Sequence, residues 1–185
     1  MKKNIITIAG DLASGKGTVS KIISEKLGFE IYSNGIYFRK LAKEYNMSVT
    51  EFNEYVNTHE EIDRNIEKSA KEYTDIYDNL VVDARLGWYV VENSFNVYLK
   101  VDIDEAAKRA FNDKKRRDTE KFESIEEHKK DLIKRFELEN KRYFKLYGVR
   151  KEDLNNYHEV IDTTNLLPEE VATIIIEKFN LWKNN

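Results

Sequence analysis

In the stretch "TIAGDLASGKGTVSK", residues 7 to 21, Gly10, Gly15 and Lys16 stand at the spacing of a loop that holds phosphate. Glycines let backbone N–H groups converge on phosphate oxygens, and a helix opening just after the loop adds a partial positive charge. The lysine supplies a point charge for β- and γ-phosphates. Gly10, Ala13, Ser14, Gly15, Lys16, Gly17 and Thr18 are therefore the candidate cradle for a nucleotide cofactor such as ATP. A Gly/Ser-rich turn before a helix is the plainer alternative; strand, spacing and helix occurring together favour the phosphate loop. The hydroxyl that usually follows the lysine and binds Mg²⁺ is replaced by Gly17, so a metal here is expected to be held largely through water. Asp11 is unfavourable beside phosphates unless it points away or acts on a neighbouring loop.

Further along, Asp83 ends the apolar run "LVV", where a Walker-B-type carboxylate acts on Mg²⁺ through water. A helix cap or turn aspartate is the alternative. Arg85 falls two residues later, at the carboxyl edge of a sheet, where open α/β folds bind ligands. Arg39, six residues beyond Ser33, begins the helix after the second strand and can reach an acceptor phosphate. The planar guanidinium binds such a group bidentately, although a solvated helix arginine fits the same position. Arg135, Glu139 and Arg142 recur at i, i+4, i+7 on one side of a helix, flanking an apolar stripe of Ile133, Phe136, Tyr143 and Tyr147. A flank can face a cleft; helix-stabilising ion pairs, about 0.2–0.5 kcal/mol each, are the other reading. The basic run "NDKKRRDT", with Arg116 and Arg117, suits a lid spanning roughly residues 109–124, or a solvated charged surface.

These residues need a scaffold, and the apolar pattern supplies one. Short strands are expected at 4–9, 29–33, 79–84, 95–101 and 158–164, alternating with helices. A helix runs from Gly15 to Leu27 and is closed by Gly28; another begins at Pro168. Alternating strands and helices imply an α/β fold with a five-stranded, mainly parallel sheet. Two helical excursions, about 34–77 and from 104 to 147, exceed what a crossover needs and are expected over the ligand edge. Among 185 residues no linker or repeat appears, so one domain is expected.

The composition excludes other classes. There is no cysteine, and the three histidines have no metal-ligand spacing. The net charge of −3 is no footprint of a nucleic-acid binder. No apolar run is long enough to span a bilayer and no signal peptide is seen, so a cytoplasmic protein without membrane partners is expected.

"GDLASGKGT" resembles the Gly-Lys-Gly-Thr loop of nucleoside monophosphate kinases. "YSNGIYFRKLAKEYNMSVTEFNEY", "EEIDRNIE", "VVDARLGW", "ENKRYFKLYG" and "VIDTTNLLPEEVA" are similar, in the same order, to segments of archaeal-type cytidylate kinases and their bacterial relatives. Asp83-Ala84-Arg85 stands where that family has Glu/Asp-Gly-Arg. The resemblance covers nearly the whole chain and implies a P-loop kinase fold using ATP and Mg²⁺. The implied acceptor is CMP or dCMP, with another small phosphorylated acceptor or a non-catalytic nucleotide-binding regulator as alternatives. It further implies a monophosphate-binding insertion at about 34–77, with Ser33, Gly35, Arg39, Asp83, Arg85 and Glu139 at the acceptor. Lys16, Arg85, Arg135 and Arg142 would be catalytic, and "IDTTNL" would border the adenine.

Overall fold

The computed structural model describes residues 3–113 and 122–184, so Arg116 and Arg117 lie outside the described residues. The elements are β1 (Asn4–Gly10), α1 (Lys16–Leu27), β2 (Glu30–Ser33), α2 (Asn34–Glu44), α3 (Val49–Val56), α4 (Glu60–Ile76), β3 (Asn79–Asp83), α5 (Gly87–Val90), β4 (Phe95–Lys100), α6 (Ile103–Asn112), α7 (Ile125–Tyr147), β5 (Glu159–Asp162) and α8 (Pro168–Lys183). The five strands are all parallel, in the order β2-β3-β1-β4-β5. The expected α/β architecture is therefore the one observed. The single turn of α5 and a 3₁₀ turn at Leu154–Asn156 are additions that the apolar pattern did not announce.

Both faces of the sheet are covered, which is why its strands read as continuous apolar runs. On one face Ile6, Ile8, Val81, Val97 and Leu99 pack against Val19 and Ile23 of α1 and Val171, Ile175 and Phe179 of α8. On the other, Ile5, Leu80 and Val82 meet Tyr32, Ala70 of α4 and Val91. Successive strand residues point to opposite faces, so a β-branched run serves both layers.

The register aligns the carboxyl ends where the chemistry is expected. Ser33 pairs with Asp83 and Gly10 pairs with Leu99. At Gly10 a Cβ would lie 2.3 Å from the Leu99 carbonyl oxygen, so β4 can approach β1 here only past a glycine.

Helices α2, α3 and α4 fill the first excursion and have a small core of their own. Ala42, Phe52 and Val56 are fully enclosed by Phe38, Leu41, Met47, Tyr55 and Ile62. Ser48 closes a capping box with Glu51 that fixes where α3 begins. No helix among the described residues is long and apolar enough to cross a membrane.

Phe52 is the largest fully buried side chain in that satellite core, 0% exposed. Phe52→Ala is expected to lower stability by about 3–5 kcal/mol, read as a shifted midpoint in urea unfolding.

Candidate functional site

The loop between β1 and α1 is pinned from outside. Leu12 and Ala13 pack on Ala106, Ala107 and Ala110 of α6 and on Leu132 of α7. Three alanines on one helix face let α6 lie close against the loop backbone. Ala13 takes a left-handed φ of 60° and Gly15 a φ of 92° at the N-terminus of α1, which no side chain caps. The first-turn amides of α1 thus remain available to an anion.

Asp11 has a structural explanation. Tyr98 Oη donates to its Oδ1 at 2.7 Å, and the Val101 backbone N–H donates to its Oδ2 at 3.0 Å. Both carboxylate oxygens face β4, away from the phosphate cradle, and the residue ties the loop to the sheet. Lys16 Nζ donates to the carbonyls of Gly10 (3.0 Å) and Asp11 (2.6 Å). Its pKa is lowered to about 7, first by burial and then by the nearby Arg85, with Asp83 opposing. An anion placed beside Lys16 would oppose both effects by favouring the charged form.

Asp83 is buried and accepts a hydrogen bond from Ser33 Oγ at 2.9 Å; it caps no helix. Ser33 also caps α2, accepting from the Ile36 N–H, so the bond fixes the start of α2 to the end of β3. A Cβ at Gly17 would lie 3.7 Å from Asp83 Oδ2, so the bare glycine leaves an open approach between loop and carboxylate. Among the described residues no group of three or more His, Asp or Glu could hold a metal. Asp83, with the open approach past Gly17, fits an ion bound through water.

Beyond Asp83 lies a cavity where Arg39, Arg85, Arg135, Glu139 and Arg142 come together with Gly35. Here the structure corrects one expectation about α7. The triplet Arg135, Glu139 and Arg142 is itself buried, 2%, 3% and 5% exposed, alongside the buried Leu132 and Tyr143, whereas Ile133 of the expected stripe is 42% exposed. The charged side chains on this face are met by other charges. Arg85 Nε lies 2.6 Å from Glu139 Oε2. Lys151 Nζ donates to the same oxygen at 2.7 Å and sits 4.5 Å above the Phe136 ring. Arg142 reaches the insertion, donating through Nε to Asp63 Oδ1 (2.8 Å) and through Nη1 to Asn53 Oδ1 (3.2 Å). Arg39, half-buried, donates to the Gly35 carbonyl at 3.1 Å.

Burial alone would raise the Glu139 carboxyl, but Arg85, Lys151 and Arg135 outweigh it and hold it far below the usual carboxylate range. Lys151 is lowered by its own complete burial against the pull of Glu139. Nothing in the sequence marked Lys151, which looks like one more surface charge. Gly148 ends α7 with a left-handed φ of 68° and turns the chain back, which brings Lys151 against Glu139. Asp63 and Glu67 also escaped notice, yet a signal existed: the buried positions of α4, Asp63, Ile66, Glu67, Ala70 and Thr74, recur at three- and four-residue steps.

The loop "IDTTNL" lies beside the phosphate loop: Thr163 Oγ1 is 3.1 Å from the Ser14 carbonyl oxygen. Arg109 clamps it from α6, donating to the carbonyls of Thr163 (2.8 Å) and Thr164 (3.0 Å). Thr18 is exposed on the first turn of α1.

Glu139→Gln removes the charge that compensates two buried cations. It is expected to cost about 3–5 kcal/mol of stability, measured by denaturant unfolding at neutral pH. A loss no larger than that of an exposed ion-pair mutant would contradict the hub geometry.

Residues 5–165 match the model of the cytidylate kinase-like family. A cytidylate kinase of Thermoplasma volcanium is 36% identical over 179 residues, covering 95% of this chain and 90% of that protein. An S-adenosylmethionine-dependent nucleotide dehydratase of Lacinutrix mariniflava is 35% identical over 96% of this chain, which spans only 36% of that protein. Among solved structures, the shikimate kinase of Acinetobacter baumannii in complex with shikimate superposes with a TM-score of 0.60 at 16% identity. It covers 99% of this chain and 95% of its own, a likeness of fold alone.

Proposed function

The chain belongs to the cytidylate kinase-like family, and from that premise we propose that it transfers the γ-phosphoryl group of ATP to CMP or dCMP. The observation that carries this reading is the cavity beyond Asp83, where Arg39, Arg85, Arg135 and Arg142 line one wall system next to the phosphate loop. That many guanidinium groups suit an acceptor already carrying a phosphate rather than a bare hydroxyl.

In this reading the loop amides, Lys16 and Thr18 hold ATP, and Asp83 would be the residue to hold Mg²⁺ through water. Mg²⁺, when bound, neutralises charge on the β- and γ-phosphates. Arg39 and Arg85 hold the acceptor phosphate so that one of its oxygens attacks the γ-phosphorus in line. The bond from the γ-phosphorus to the β,γ-bridging oxygen breaks, leaving ADP, and no covalent enzyme intermediate is needed. Arg135 sits where charge spreading over the transferred group can be neutralised. Glu139 and Lys151 act through Arg85, holding its guanidinium in place.

The enclosed space measures only about 30 Å³, room for a water molecule or two. In this reading the cavity widens to admit a nucleotide, and its closing again excludes water from the reacting phosphates.

With ATP and Mg²⁺, the purified protein is expected to phosphorylate CMP and dCMP faster than UMP, AMP or GMP, followed by coupled ADP release. Absence of turnover with all of them would count against the reading and favour a nucleotide-binding regulator. The lowered pKa of Lys16 gives a second test. Phosphates raise that pKa, so the favourable charge is complete below about 7 and must be restored by proton uptake as pH rises above it. Calorimetry at about pH 8 in buffers of different ionisation enthalpy should show close to one proton taken up per ATP bound. Lys16→Ala should take up none.

A further inference from the structure

Two side chains in the cavity lining carry polar atoms that the fold leaves unsatisfied. Asn34 is 5% and Glu67 3% exposed, and Asn34 Nδ2 donates to Glu67 Oε1 at 3.2 Å. Asn34 Oδ1 and Glu67 Oε2 are buried without a hydrogen-bond partner. Such atoms are costly, and apolar residues at the α2–α4 contact would have avoided the cost. The arrangement is explained if a bound molecule supplies the missing partners.

The chemistry of the two atoms narrows the class of that molecule. The bond from Nδ2 orients the amide so that Oδ1 is left as an acceptor. Burial, and then the carboxylate of Asp63, push the Glu67 carboxyl up to about 8 against the opposing Arg142 and Arg85. At neutral pH it keeps its proton, which makes Oε2 a donor. An acceptor beside a donor complements an exocyclic amine next to an unprotonated ring nitrogen, the edge that cytosine presents through N4 and N3 and that adenine shares through N6 and N1. Uracil places O4 and N3–H there instead, setting acceptor against acceptor and donor against donor.

We propose that Asn34 and Glu67 form the base-reading edge of the acceptor pocket and select the amino edge of cytosine over the oxo edge of uracil. This rests on the nucleoside monophosphate reading above, with the arginines taking the phosphate and this pair taking the base. Ser33 caps α2 and binds Asp83, so Asn34 is held in fixed relation to the phosphate edge.

The test compares wild type, Asn34→Ala and Glu67→Gln by kcat/KM for CMP and for UMP at saturating ATP, with KM for ATP and the urea midpoint as controls. Asn34→Ala removes the acceptor for N4 and should lower the CMP:UMP ratio by about tenfold or more. Glu67→Gln leaves a nitrogen that can only donate, and should raise the ratio as UMP falls further than CMP. Parallel changes for both nucleotides in both variants, with or without a lowered urea midpoint, would show the pair to be a helix-to-helix bond only and overturn the proposal. Wild type inert toward every monophosphate would sink the kinase reading itself, an outcome distinct from an active enzyme whose preference ignores both residues.

Discussion

The buried carboxylate of Glu139 is the interaction on which the site depends. It draws Arg85 from the end of β3 and Lys151 from beyond α7 onto one oxygen, within 2.6 and 2.7 Å. Each of these charges would be prohibitively costly alone in the interior; together they are tolerated because the attraction is unscreened by water. The consequence is directional. The face of α7 that turns Glu139 inward also turns Arg135 and Arg142 inward, together with the apolar Leu132 and Tyr143, and leaves Ile133 toward solvent.

The two sides of the site differ in how they are held. The phosphate loop is fixed to the sheet through Asp11, Tyr98 and Val101, and is pressed between α6 and α7 through Leu12 and Ala13. The α2–α4 insertion has a separate core around Phe52, and its ties to α7 are largely polar, through Arg142, Asp63 and Asn53. Polar ties can exchange partners with a ligand more readily than an interdigitated core can be repacked. The loop is thus held by apolar packing and by hydrogen bonds to the sheet, whereas the insertion meets α7 mainly through polar side chains and α4 keeps an apolar contact with the sheet through Ala70.

Much of this was legible because the relevant signals are local. Spacing alone located the turn from strand to helix between Gly10 and Lys16, and the β-branched runs located the five strands. Asp83, Arg85 and Arg39 were legible as edge residues because parallel strands put their carboxyl ends on one side. Glu139 was readable as one of a triplet, but its burial was not, since a helix of alternating Lys, Arg and Glu normally lies on the surface. Lys151 was hidden for the same reason. Asn34 and Glu67 were hidden because each belongs to a different helix and neither has meaning without the other.

Asp11 and Gly17 mark the boundary most clearly. The sequence alone determined that a helix would open at Lys16 after a glycine-bounded loop and that no hydroxyl would follow the lysine, because backbone geometry and residue type settle both. That Asp11 turns away onto β4, and that Gly17 opens toward Asp83, were decided only when β1, β3 and β4 paired in register. Which charges became neighbours is a long-range outcome of packing, and no local pattern encodes the field that a buried group will feel.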